Sequence, residues 1–485
     1  MQHALLATFI IYSLCILGVG VWGYRRESLA SFAVADRQMG MVTGTGAFVA
    51  TFISAVTVIG VSGYASQYGW AAAAFTCYGY ATGWILLVIA AKRMHRSQLT
   101  TIPEFLRMRF ESPFLATFSA STIVFLYSIT LIVQLLGVAI TLNSMLNFAL
   151  PVVILVVGIV FVTYTWLGGL VAVVRTDLIE ATLLALGVLI GAFAVIWKTG
   201  GSVITAPPER LAHFFGGSIQ TPTDFIGWTL VWGLGIPAQS YYLQRFYASK
   251  NENVARMQIA LGGIIIMVLL LSVIVCGVGA AMLIPPDRVG DGAFPYLFKN
   301  VIGGWISVPI LLAITAAVQS TTAGLLHIVG LFFALDIYKP IAQINDEASL
   351  LRASRRMTLL FGIATTLLAV YISTRPLPLI SLIAAVSWGG MASTLFVPLF
   401  CGLFWKRATR MGAIASAVGG LTFATIGFVL KRAGLLGFHE IYPGLVAAMV
   451  LMVVVSLATR SNTESVIKRF FPESLPAGTG KRLEL

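Results

Sequence analysis

Charge is what this chain has least of. Only 10% of its 485 residues are Asp, Glu, Lys or Arg, where a soluble domain carries about 25%. A large water-soluble helical core would need charged outer faces, so that class is excluded. Cysteine is scarce too: Cys15, Cys77, Cys276 and Cys401 all lie in apolar runs, which leaves no disulfide framework to read. The five histidines, His3, His95, His213, His327 and His439, are scattered, and no zinc-type spacing appears among them. No nucleotide-binding loop is present, so any work the protein does must draw on an ion gradient. Without a paired nucleophile and base the sequence does not read as an enzyme.

What the chain has instead is hydrocarbon. It is 58% hydrophobic with mean hydropathy +0.92, and apolar runs of about 20 residues, the length that spans a bilayer as a helix, recur throughout. The run at 4–24 has no basic n-region and no small-residue cleavage site, so it reads as a retained helix rather than a signal peptide. Thirteen runs are predicted as spans: 4–24, 41–70, 72–91, 116–148, 151–168, 175–197, 222–242, 257–284, 300–335, 357–374, 378–405, 411–430 and 438–459. With the N-terminus outside, the outward side holds Lys198, Arg210, Arg288, Lys299, Arg375, Lys431 and Arg432, and the other 24 of 31 basic residues fall inward. That is the positive-inside bias. The net charge of +13 is then topological and requires no nucleic-acid partner.

Setting aside the first span and the last two leaves two groups of five. Each opens on a Gly-rich run, 44–63 and 225–242. Each has a Pro-aromatic segment between its second and third spans, "TTIPEFLRMRF" on the inside and "DGAFPYLFKN" on the outside. Matching features on opposite sides are the mark of an inverted repeat. The expected organisation is an extra helix and inward loop at 1–40, a first repeat at 41–198 and an outward connection at 199–221. A second repeat at 222–405, two further helices at 406–460 and a cytoplasmic tail at 461–485 complete it. The setting is the cell inner (plasma) membrane and the state a monomer.

Polar residues at membrane depth carry the functional signal. In "FVATFISAVTVIG", Thr51, Ser54 and Thr57 recur every third residue. They form either a small-residue packing face or an unwound segment lining a cavity, since irregular backbone at that depth must line protein or water. In "LLAITAAVQSTTAGLLHIVGLFF", Ala317, Ser320 and Thr321 share one helical face, and Gln319 and Thr322 point elsewhere. Carbonyls and hydroxyls together suit a hard cation such as sodium without burying a charge.

The pieces "ATFISAVTVIG", "TIPEFLRMRF", "YTWLGGLVAVVRTDLIE", "QRFYASKNENVAR", "AAVQSTTAGLL", "LDIY" and "GLFWKR" resemble the sodium:solute symporter family in order and spacing, end to end. The resemblance implies an all-α polytopic membrane protein with a leucine-transporter-like five-plus-five core, carrying a small solute with sodium as coupling ion. It implies sodium ligands at the carbonyls of Ala50, Ile53 and Ala317 and the hydroxyls of Ser320 and Thr321. Asp177 matches the acid of a second sodium site found in some members. The partner hydroxyl positions hold Ala323 and Gly324 here, so one sodium per solute is expected, with Asp177 paired to Arg175 or another inward-side base. The positions that would bind sugar hold Phe52, Thr57, Ala72 and Ala385, and 116–148 has no arginine for a sialic-acid-type carboxylate. Length, "VQLLG" around Gln134 and "GFHEIYPGL" liken the chain to the sodium/pantothenate branch. An amino acid such as proline, or a role as a transporter-derived nutrient sensor, is the alternative. The expected solute contacts are Ser54, Thr57, Tyr68, Gln134, Trp232 and Gln239, with no arginine or lysine buried in the core. A bound carboxylate would then be met by helix N-termini and the sodium ion.

Overall fold

The structure, a computed structural model, describes residues 2–24, 38–97, 99, 101–344 and 346–471. The inward loop at 25–37 and the tail from 472 onward lie outside the described residues. Apart from two isolated bridges, Met39 with Ser249 and Gly216 with Ile219, every regular element among the described residues is helical. Among the described residues eleven helices are long and apolar enough to cross a membrane, or twelve with a bent pair counted as one span.

That bent pair is Met41–Phe52 and Val56–Tyr68, which meet at 52°. The predicted span at 222–242 is also broken. Pro222–Gly235 passes through a short 3-10 turn, Ile236–Ala238, and restarts as Ser240–Ala248. Each half alone is too short to span a bilayer. The two breaks match closely: Ile53 sits at φ −79°, ψ 113° and Gln239 at φ −80°, ψ 114°, and each is followed by a serine, Ser54 and Ser240. The same extended kink at corresponding points of the two Gly-rich runs is the backbone counterpart of the repeat read from the sequence.

The predicted spans at 151–168 and 175–197 appear as one helical segment, Leu150–Lys198. Tyr164 and Thr176 within it are hydrogen-bonded, hydroxyl to hydroxyl, at 2.8 Å. A straight helix would separate them by roughly 18 Å along its axis, beyond the reach of both side chains together. The segment therefore folds back on itself, and its arms, Leu150–Gly168 and Thr176–Lys198, each qualify as a span. We refer to it as the hairpin.

The hairpin packs along Ser307–Phe332, here called the hydroxyl helix, and along the first helix, Gln2–Tyr24. Both Pro-aromatic segments form short helices. Ile102–Phe110 is capped by Thr101, whose hydroxyl also donates to Asp336 Oδ2 at 2.9 Å. Ala293–Tyr296 runs on into Leu297–Ile302. Just before the latter, Asp291 accepts the Ile380 N–H at 2.8 Å and Ser66 accepts that of Gly290. Burial pushes the Asp291 carboxyl up to about 7, against the opposing effect of that N–H. Close helix contact depends on small residues. A Cβ on Gly277 would lie 2.5 Å from Ser62 O and 2.6 Å from Ala65 Cβ, backbone-anchored atoms that cannot step aside. Gly277→Val is expected to destabilise the fold by about 1–3 kcal/mol, read as a lowered unfolding midpoint in detergent. An unchanged midpoint would mean that the helices part there freely.

Candidate functional site

The first break ends Met41–Phe52 and frees its last carbonyls. The hydroxyl helix meets that end. Ser320 donates from Oγ to Ala50 O at 2.7 Å and stands 3.2 Å from Ala317 O. Thr321 donates from Oγ1 toward Thr51 O and Ala317 O, both at 3.1 Å. Four of the five expected sodium ligands, Ala50, Ala317, Ser320 and Thr321, are thus linked by side-chain hydrogen bonds into one buried cluster. Ile53 sits at the break itself, and the carbonyl of Thr51, not anticipated from the sequence, joins the group. Oxygens this close are drawn together by hydrogen bonds. A cation entering would replace those bonds with its own coordination, which needs little rearrangement. Gln319 points away, toward Tyr12 of the first helix at 3.4 Å.

One helix caps both breaks. In Pro113–Leu146, Gln134 Oε1 accepts the Ala55 N–H at 2.9 Å, and the Tyr127 hydroxyl accepts the Ser240 N–H at 2.8 Å. Residues seven apart lie on one helical face, so a single stripe satisfies the orphaned N–H groups where both broken helices restart. Gln134 was anticipated as a solute contact. Tyr127 was not, although its spacing from Gln134 was there to be read.

Beside the breaks stands an aromatic cage. Phe52 stacks on Tyr242 at 5.0 Å and meets Tyr80 edge-on at 5.1 Å. Tyr80 neighbours Trp232 at 5.7 Å, and Trp232 neighbours Trp388 at 5.1 Å. All five rings are buried. Thr57 lies in the buried segment just after the first break, Val56–Val61. Ser54, Thr57, Gln134, Trp232 and Gln239 therefore surround the two breaks and the cage. Tyr68 does not join them. It ends Ser62–Tyr68, roughly 20 Å along the helix from Ser54, and packs on Tyr64 at 4.8 Å beside Gly217 at the outward end.

Several buried polar atoms around the cage have no hydrogen-bond partner among the described residues. They are Gln134 Nε2, both ends of Gln239, Trp232 Nε1, Trp388 Nε1 and Ser240 Oγ. Unmet polar groups are rare in folded interiors and call for an explanation. Of these atoms, the two amide nitrogens and two indole nitrogens can only donate.

The expectation of no buried base in the core is overturned. Arg245, one turn past the second break, is 1% exposed; its Nη2 lies 2.8 Å from Asp177 Oδ2 and donates to Thr51 Oγ1 at 2.8 Å. Asp177 is 0% exposed. The partner of Asp177 is thus a base other than Arg175, buried inside the bundle; the Arg175 side chain lies outside the described ones. The ion pair joins the hairpin, the second broken helix and, through Thr51, the end of Met41–Phe52. Beside it, Met39 N–H bonds to Ala248 O at 3.0 Å and Lys250 N–H to Met39 O at 3.1 Å, tying the start of the first broken helix to the end of the second.

The sodium:solute symporter family model matches residues 32–420. The chain belongs to that family. It is 25% identical over 471 residues to the sodium/pantothenate symporter of Escherichia coli K12, covering 94% of this chain and 96% of that protein. It is 26% identical over 494 residues to the sodium/proline symporter of Haemophilus influenzae, covering 96% of each. Among solved structures it superimposes on a Na+-coupled sialic acid symporter in its substrate-bound outward-open state with a TM-score of 0.78. Identity there is 18%, over 95% of this chain and 98% of that one. A nucleobase-cation-symport-1 family transporter, closed around bromovinylhydantoin, gives a TM-score of 0.58 at 14% identity, over 92% of this chain and 99% of that one. The fold is that of leucine-transporter-like sodium symporters. The protein is a multi-pass membrane transporter rather than an enzyme, with sodium as its coupling ion and a small molecule as its solute.

Proposed function

We propose that this symporter drives uptake of a small monocarboxylate-type nutrient, such as pantothenate, by inward sodium movement and alternating access. The observation that carries the reading is the junction of the first break with the hydroxyl helix, where Ser320 and Thr321 reach the carbonyls of Ala50, Thr51 and Ala317. Ala50, Ile53, Ala317, Ser320 and Thr321 form the sodium site. Ser54, Thr57, Gln134, Trp232 and Gln239 form the solute site, with Tyr68 on its outward approach. The excess of unmet donors around the cage favours a solute rich in acceptor oxygens, and a carboxylate is the simplest such group.

Thirteen spans, N-terminus outside and C-terminus inside, complete the proposed topology in the cell inner membrane. The two five-helix repeats occupy 41–198 and 222–405. The second broken helix supplies the span beyond the twelve that length and composition identify, and the basic residues distribute accordingly. The protein acts as a monomer without nucleic acid. One sodium accompanies each solute, because Ala323 and Gly324 offer no side-chain oxygen and Asp177 is already paired with Arg245.

Proline is the second reading, favoured by relatives bearing that name at similar identity. A radiolabelled-uptake panel in proteoliposomes separates the two. Accumulation is expected to need inward sodium. One sodium with one carboxylate anion moves no net charge, so pantothenate uptake should not respond to membrane potential. Sodium with zwitterionic proline should instead gain about 2.3 kcal/mol per charge for each 100 mV of inside-negative potential. Equal accumulation in potassium and sodium media would sink the mechanism. Proline uptake without pantothenate uptake would replace the solute alone.

A further inference from the structure

A second buried acid stands on a different face of the hydroxyl helix from the sodium ligands. Glu180, in the span Thr176–Lys198, is 2% exposed. Tyr12 of the first helix donates to its Oε1 at 3.0 Å, and the same hydroxyl is 3.4 Å from Gln319 Oε1. Glu180 Oε2 has no protein partner. The residue lines a cavity of about 400 Å³ between the first helix and the hairpin, with Tyr12, Cys15, Thr176 and Leu312 among its walls.

Charge decides what can occupy it. Asp177, one turn earlier on the same arm, is balanced by Arg245, and among the described residues no basic side chain pairs with Glu180. The other ionisable groups around it are Tyr12 and Cys15 from the first helix and Tyr164 and Asp177 from the hairpin. The hydroxyl helix contributes Gln319 there, His327 lying two turns further on. Two carboxylates against one guanidinium leave one surplus negative charge, which is costly at this depth. Sodium would need several oxygens. Thr176 Oγ1 is already engaged by Tyr164, which leaves the carboxylate, one hydroxyl and one amide oxygen. A proton needs a single carboxylate oxygen.

We propose that Glu180, held by Tyr12, whose hydroxyl also faces Gln319, is a proton-binding site linked to the sodium site across the hydroxyl helix. Gln319 and Ser320 are adjacent, so a negative charge on Glu180 favours a cation at Ser320 and Thr321. By reciprocity, sodium binding releases the proton of the Glu180 carboxyl to bulk water. One cation enters as another leaves, and the charge balances. The linkage rests on the sodium reading; the proton site does not.

Radioactive-sodium binding to the purified full-length protein, from about pH 5.5 to 9, tests the linkage. Parent protein is expected to gain about tenfold in apparent sodium affinity toward high pH, within the usual range of coupling between sites. Glu180→Gln should be flat, while Glu180→Asp, which keeps a titratable carboxyl, should retain a pH dependence. Infrared spectra, parent minus Glu180→Gln, should show a protonated carboxylic-acid band at neutral pH that fades in alkali. A missing band overturns the proton site. A pH dependence that survives in Glu180→Gln, or sodium binding that is pH-independent in the parent, overturns the linkage. Sodium stoichiometry falling from two to one in Glu180→Gln would make the occupant sodium instead. No sodium binding at any pH would overturn the sodium reading and the linkage together, with the band still deciding the proton site.

Discussion

Replacing Arg245 with Met, with Asp177 left in place, is expected to cost about 3–5 kcal/mol of stability and to abolish transport. The magnitude follows from burial. At 1% and 0% exposure, neither member can fall back on water, so removing the guanidinium strands a carboxylate inside the bundle and also strips a donor from Thr51 Oγ1. Replacing both members by apolar residues of similar size avoids that penalty, since buried pairs exchanged as a unit are often near neutral. Arg245→Met/Asp177→Leu should therefore recover most of the unfolding midpoint. Transport separates structure from mechanism: a double variant that is stable yet inactive would show that the pair acts in the cycle, closing the inward ends of the two broken helices. The measurements are thermal unfolding in detergent and solute uptake on the same preparations. An Arg245→Met midpoint matching the parent's would mean that Asp177 is not held by this contact.

The ion pair also marks the limit of what the sequence made legible. Spans were readable because length and hydropathy are local properties. A break in the first Gly-rich run was one of two readings the sequence left open, because a small-residue packing face looks the same. The second run was read only as the matching start of a repeat. The shared face of Ala317, Ser320 and Thr321 followed from helical periodicity alone. Arg245 was assigned to the inward loops because the predicted span stopped at 242. The structure continues the helix to Ala248 and buries it whole, which is tolerable only because Asp177 arrives from 68 positions away. No periodicity reports a partner at that distance. The cage likewise draws Phe52, Tyr80, Trp232, Tyr242 and Trp388 from four separate stretches of chain, each an ordinary aromatic in an apolar run. Glu180 was quoted within "RTDLIE" but given no role, since its surroundings come from the first helix and the hydroxyl helix. The tight turn inside Leu150–Lys198 agreed with the predicted division into two spans, although the chain there is helical throughout.

Ser320→Ala is expected to raise the sodium concentration for half-maximal uptake by about tenfold, a loss of about 1.4 kcal/mol. The double variant Ser320→Ala/Thr321→Ala should raise it a hundredfold or more. Each change removes one oxygen from a site built of very few, and each also leaves a carbonyl of the broken helix end, Ala50 or Thr51, without its donor. The second effect is structural, so a control must distinguish it. Ser320→Thr keeps the oxygen and should stay within a few-fold of the parent, whereas Ser320→Cys keeps the size but offers a poor ligand to a hard cation and should resemble the alanine variant. Solute affinity at saturating sodium should move far less than the sodium curve, because neither hydroxyl borders the cage. The curve itself should stay hyperbolic, with a Hill coefficient near one, in the parent and in Asp177→Asn alike. With Ala323 and Gly324 in place of hydroxyls, Asp177 has only its own carboxylate to offer a second sodium, and Arg245 already occupies it. A sigmoidal parent curve that turns hyperbolic in Asp177→Asn would establish a second sodium site. Sodium curves for Ser320→Ala and Thr321→Ala that overlay the parent's would reduce these hydroxyls to packing groups and remove the observation on which the proposed sodium site stands.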